Sequence, residues 1–127
     1  MVGSFDSSGS PTIDIEVFGW NEDIRCKATA IVDTGFTGFL LLPILAAFPA
    51  GLILHTMFDI TLADGSTQTK LACLGGIRFD GQSQPGLILV EEQGTEVLVG
   101  MEFLKSFGLT LIVDAAASTL ELRPSQP

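Results

Sequence analysis

Along most of the chain, apolar residues recur at every second position, the spacing of half-buried β-strands rather than of helices. In Thr12-Ile13-Asp14-Ile15-Glu16-Val17-Phe18-Gly19, the residues Ile13, Ile15 and Val17 alternate with polar ones. Asn21-Glu22-Asp23 marks a turn, and residues 24–32 return as a second strand, which predicts a hairpin. Phe58, Ile60 and Leu62 alternate again and run into Ala63-Asp64-Gly65-Ser66, whose Asp-Gly pair is the strongest hairpin-turn signal in the chain. Residues 67–74 form the returning strand. Residues 77–82 predict a further strand and turn, residues 86–91 another strand, and Glu96-Val97-Leu98-Val99-Gly100 a short apolar strand ending on glycine. Helical signals occur in two places: residues 43–48, with Pro43 at the first helical position, and residues 101–107, closed by Gly108. Residues 109–113 and 119–122 are the last strands. The polar residues 1–11 read as a flexible leader to a domain spanning 12–127. Many short strands, no internal repeat and at most two short helices predict a closed or sandwiched all-β domain.

Composition narrows what such a domain does. A chain of 127 residues that is 46% hydrophobic and 17% charged is long enough for one domain with its own core. Fifteen acids against six bases give a net charge of −9 with no basic cluster, so nucleic acid is excluded as an expected partner. Cys26 and Cys73 lie in strand-like segments outside any metal-type spacing and read as small buried hydrophobes. His55 is the single histidine and lacks nucleophile context, so it reads as a loop or surface residue; no metal or cofactor is expected. Trp20 reads as a packing residue at a hairpin end, and Glu91, Glu92 and Glu96 as a solvated rim. The N-terminus shows neither signal-peptide character nor a myristoylation glycine, since Val2 follows Met1. The apolar run from Phe39 to Leu54 is broken by Pro43, Pro49 and Gly51 and falls short of the ~20 residues of a spanning helix. A soluble, cytoplasmic protein with no membrane partner is expected.

The stretch Ile31 to Pro43, IVDTGFTGFLLLP, breaks this bland picture. Asp-Thr-Gly alone is an ordinary turn composition, but a plain turn acid has polar neighbours. Here Ala30-Ile31-Val32 precede Asp33, while Phe36 and Phe39-Leu40-Leu41-Leu42 follow it. A carboxylate at the end of a buried strand needs partners, because burying an unpaired charge is costly. The Thr34 hydroxyl and the Gly35 N–H are the nearest donors. A held, half-buried carboxylate is what general acid–base chemistry requires.

With these residues in view, Asp33-Thr34-Gly35 and its apolar approach resemble the active-site loop of the retropepsin-like aspartic proteases, especially their small single-domain bacterial members. Three further features fall in that family's order. Ala63-Asp64-Gly65-Ser66 resembles the tip of the flap hairpin, Leu98-Val99-Gly100 the apolar-apolar-Gly element beside the catalytic loop, and Met101-Glu102-Phe103-Leu104 the short helix after it. The likeness runs from about Thr12 to Leu122. It implies a single-domain, all-β, closed retropepsin-like barrel with one or two short helices. It also implies Asp33 as catalytic acid, Thr34 and Gly35 as its loop, and Leu98, Val99 and Gly100 as loop support. Phe36, Ala63, Asp64 and Gly65 would meet a peptide or protein substrate.

Such chemistry uses two carboxylates that share one proton, and no other Asp here is followed by Thr-Gly or Ser-Gly. The resemblance therefore implies a two-fold homodimer with the active site on its axis. Three departures from retroviral members stand out. Bulky Phe36 replaces a small residue after the glycine, Met101 replaces an arginine that braces the dimer, and the flap tip has no aromatic or long apolar side chain. The rival reading is a non-catalytic dimeric peptide-binding module on the same fold, taking extended peptide by strand addition.

Overall fold

Alternation and turns produce the expected strands, and their pairing decides where the acid-bearing loop lies. The computed structural model describes residues 2–47, 49–61, 63–92 and 94–125, with the side chains of 53–55, 58, 60 and 61 left aside. The elements are β1 (Val2–Phe5), β2 (Pro11–Phe18), β3 (Arg25–Val32), β4 (Leu40–Pro43), α1 (Ile44–Ala47), β5 (Ile53–Thr61) and β6 (Thr67–Phe79). They continue as β7 (Gln82–Glu91), β8 (Leu98–Val99), α2 (Met101–Ser106), β9 (Leu109–Asp114) and β10 (Thr119–Pro124). Among the described residues no helix is long and apolar enough to cross a membrane.

The expected hairpin of β2 and β3 forms, with Ile15 opposite Ala28. Beyond it, strand pairings run from β3 to β8, β4, β7 and β6 and return to β2, closing a ring. β5 lies outside the ring on β6, while β1, β10 and β9 extend from β2 on the other side. The alternation of Phe58, Ile60 and Leu62 falls on side chains outside the description, although the backbone of 53–61 is a strand as expected.

Three elements differ from the sequence reading. Residues 2–5, read as leader, are strand β1, joined to β2 by a turn in which Asp6 Oδ1 accepts the Ser8 and Ser10 N–H groups. Residues 67–79 make one strand, not two. Its second half lies against β2, where Gly76 is opposite Phe18 and a Cβ at Gly75 would stand 2.5 Å from the Phe18 carbonyl oxygen. Gly75 and Gly76 thus permit a close approach of strands, and not a break. Finally, Leu40–Pro43 is a strand, parallel to β7 and antiparallel to β8. Its continuous apolar sequence suits an element covered on both sides, with Leu40 and Leu42 buried.

The core gathers the inward positions of these strands around α2: Val17, Leu40, Leu42, Ile77, Ile88, Val90, Val99, Phe103, Leu120 and Leu122 are almost fully buried. Phe103 is its centre, with ring centroids 4.9 Å from Phe107, 5.6 Å from Phe79 and 6.5 Å from Phe39. Cys73 is buried, its thiol pushed up by burial, and Cys26 is half-buried; both are free. Trp20, expected to pack at its hairpin end, is instead 73% exposed. His55 lies in β5, at a register shift of the β5–β6 ladder, and not in a loop.

Candidate active site

β3 delivers Asp33 to the point where three short elements converge. β8 lies between β3 and β4, pairing Ile31 with Leu98 and Val32 with Val99 on one side and Leu40 with Val99 on the other. The strand entering the acid turn and the strand leaving it are therefore bound to the same two residues, Leu98 and Val99. The Asp33 N–H extends the ladder by donating to the Val99 carbonyl at 3.0 Å. Val32 and Val99 are buried beneath it, while Asp33 itself is half-buried.

The turn closes on itself twice. Phe36 N–H donates to the Asp33 carbonyl at 3.1 Å, and Gly35 N–H donates to Asp33 Oδ1 at 2.9 Å. A carboxylate that accepts a backbone N–H loses rotational freedom and keeps one oxygen directed along the turn. Thr34 is exposed, and among the described residues its hydroxyl has no hydrogen-bond partner, so of the two expected donors only Gly35 reaches the acid. The loop is tied to α2 as well: Met101 N–H donates to the Phe36 carbonyl at 2.9 Å, and Glu102 N–H to the Gly38 carbonyl at 3.2 Å. Gly100 sits under this junction, where a Cβ would strike the Phe36 carbonyl oxygen.

Ala63, Asp64, Gly65 and Ser66 form the exposed tip of the β5–β6 hairpin, with Gly65 at φ +86°. Asp64 Oδ1 accepts the Ser66 hydroxyl at 2.6 Å and the Ser66 N–H at 2.9 Å. These bonds, the hydroxyl's first, hold the Asp64 carboxyl below the ordinary carboxylate range. β6 pairs with β7 only from Leu71 onward, so the outer part of the hairpin is a two-stranded arm. Its base carries a 2.6 Å ion pair between Lys70 and Glu91, which makes Glu91 a paired group and not a plain solvated rim residue.

Two features escaped the sequence reading. A groove of about 490 Å3 runs beside the acid turn, lined by Thr34, Met101, Leu104, Lys105, Leu109 and Leu111. Its signal was the alternation of Leu109 and Leu111 together with Met101 on the adjoining helix. Gly38 also matters, since its missing side chain leaves space for the Phe36 ring. Another cavity of about 500 Å3, lined by Asp14, Glu16, Lys27, Arg78 and Asp80 among others, includes none of residues 33–36. Among the described residues no cluster of His, Cys, Asp and Glu is placed to hold a metal ion.

No protein-family model matches the chain, and no curated protein does. Solved structures do. EIAV protease complexed with the inhibitor HBY-793 superposes with a TM-score of 0.61 at 15% identity, covering 87% of this chain and 99% of that one. A retropepsin-like aspartic protease from Rickettsia conorii gives 0.61 at 18% identity, covering 94% of this chain and 86% of that one. The likeness is one of fold: the chain has the all-β, retropepsin-like architecture that its sequence predicts.

Proposed function

We propose that the chain is an aspartic endopeptidase whose active site forms when Asp33 of two copies meet on a two-fold axis. The observation that carries this reading is the seat of Asp33: a half-buried carboxylate, fixed by the Gly35 N–H, on a turn bound to two strands and a helix. One chain supplies one such acid. Two of them a few ångströms apart share a proton, because like charges that close do not both ionise. The ionised partner takes a proton from water as the water oxygen bonds to the peptide carbonyl carbon, and the protonated partner gives its proton to the carbonyl oxygen. Collapse of the resulting diol breaks the C–N bond as a proton passes to the departing nitrogen.

The open side of the fold supports a second copy. β9 ends the described sheet, paired with β10 alone, and exposes Ile112 and Val113. The groove beside Thr34 ends on the same strand at Leu109 and Leu111. β9 carries one charge, Asp114 at its far end, and Lys105 lines the groove near its start. In an antiparallel pairing of two copies, each Asp114 would lie against the start of the other chain's β9 and not against its twin, so like charges are not opposed. The hairpin tip at 63–66 would meet an extended peptide through its backbone.

Cleavage of a peptide library by wild type and Asp33→Asn, with and without an aspartic-protease inhibitor, tests the reading. Wild type is expected to cut, the inhibitor to stop it and Asp33→Asn to be inactive. No cleavage from acid to neutral pH, or equal cleavage by Asp33→Asn, would overturn it. Peptide binding without cleavage would leave the non-catalytic module.

A further inference from the structure

The bulky side chain after Gly35 has no obvious business in so tight a loop, yet its surroundings are fitted to it. Phe36 is half-buried, and its ring lies over two glycines from different parts of the chain. A Cβ at Gly38 would stand 2.6 Å from Phe36 Cζ and 2.7 Å from Cε1, and one at Gly100 would stand 2.7 Å from Phe36 Cδ2. Carbon atoms do not approach so closely, so the ring occupies the volume that side chains at 38 and 100 would take. The Phe36 backbone spans the same junction, its N–H closing the turn on Asp33 and its carbonyl receiving the Met101 N–H.

We propose that Phe36 is a positioning residue for Asp33. Its ring, seated on Gly38 and Gly100, presses the acid turn onto the start of α2 and so sets the direction in which the carboxylate faces. The proposal rests on the reading of Asp33 as the catalytic acid. Two other roles for a large residue here, a wall of the substrate pocket and a contact between copies, make different predictions. A substrate wall changes KM and cleavage preference. A contact between copies changes the dissociation of the dimer. A positioning ring changes kcat and the behaviour of Asp33 while leaving both of those in place.

Phe36→Ala, Phe36→Leu, Gly38→Ala and the double variant Phe36→Ala/Gly38→Ala test this, with folding checked by circular dichroism and mass by sedimentation. Phe36→Ala is expected to lower kcat roughly 10- to 100-fold with KM within about twofold, since small misplacements of reacting groups cost that much. The acidic limb of the pH profile should shift, and Phe36→Leu should recover part of the loss. Gly38→Ala should lower kcat in wild type but have less than about a twofold effect once the ring is gone, because the two changes act on one contact. A raised KM with kcat intact, a fall in mass, or additive losses in the double variant would overturn the proposal.

Amide exchange and the 13C chemical shift of the Asp33 carboxyl at fixed pH supply a readout that needs no turnover. Phe36→Ala is expected to speed exchange at Met101 N–H roughly tenfold or more, through easier local opening, and to change the Asp33 carboxyl 13C chemical shift at fixed pH, with exchange at the buried Ile88 unchanged. If wild type cleaves nothing, the protease reading fails while this measurement still decides on the clamp. Unchanged exchange and an unchanged carboxyl shift would overturn it.

Discussion

A methyl group at Gly35 would sit 3.2 Å from Asp33 Oδ1. That contact is tight but not impossible, and Gly35 is not among the residues at positive φ. Gly35→Ala is therefore expected to leave the thermal midpoint within a few degrees while turning the carboxylate off its bond to the residue 35 N–H. Cleavage should fall about 10- to 100-fold, the order set by small errors in placing a reacting group. Steady-state kinetics beside a melting curve checks this, and full activity would mean that the turn does not orient the acid. Asp33 and Gly35 were legible in the sequence because an acid among Val32, Phe36 and Phe39 stands out from an ordinary turn. That the Thr34 hydroxyl does not reach Asp33 was not, because composition does not say which way a short side chain rotates. Nor was the setting of Phe36, whose second glycine, Gly100, is brought under it only by the β3–β8 pairing.

Among the elements, the β5–β6 hairpin carries at its tip an acid whose bonds depend on pH. Asp64 is hydrogen-bonded in the folded tip by Ser66, first through its hydroxyl and then through its N–H, which lowers the carboxyl's pKa. A carboxyl with a lowered folded value stabilises the fold fully above its unfolded value, and the contribution is lost as pH falls through the folded one. The tip is thus expected to be most ordered at neutral pH and to loosen below the ordinary carboxylate range. Ser66 amide exchange, corrected for intrinsic rate, should show this rise on acidification in wild type and show none in Asp64→Ala. The Asp-Gly turn of this hairpin was legible, since Gly65 takes the positive φ that the pair signals. The length of β6 was not. The sequence reading ended the strand before Gly75 and Gly76, and the close approach of Phe18 from β2, with Ile88 and Gln84 beside it, explains them. β4 was hidden for a related reason: a strand covered on both sides loses the alternation that reveals one covered on a single side.

Over the whole molecule, one aromatic cluster ties the site to the core. Phe103 follows the loop-supporting Gly100 and touches Phe39, Phe79 and Phe107 while fully buried. Phe103→Ala is expected to cost about 3–5 kcal/mol, the range for deleting a buried aromatic ring. Denaturant unfolding measures this, and a loss under about 1 kcal/mol would show that the ring is not the keystone its burial indicates. The general architecture was legible from period-two alternation, but the use of the N-terminus was not. Val2–Phe5 is short and runs into the polar Asp6-Ser7-Ser8-Gly9-Ser10, so it read as leader, and it becomes a strand because β2 and β10 offer it edges on both sides. The central claim, that each active site needs Asp33 from two copies, belongs to this scale. Wild type and Asp33→Asn, mixed in varied ratios at constant total concentration and refolded together, put it to measurement. If two intact acids are required, activity follows the square of the wild-type fraction, so an equal mixture retains about one quarter of the full rate. A rate that follows the fraction linearly, retaining about one half, would contradict it.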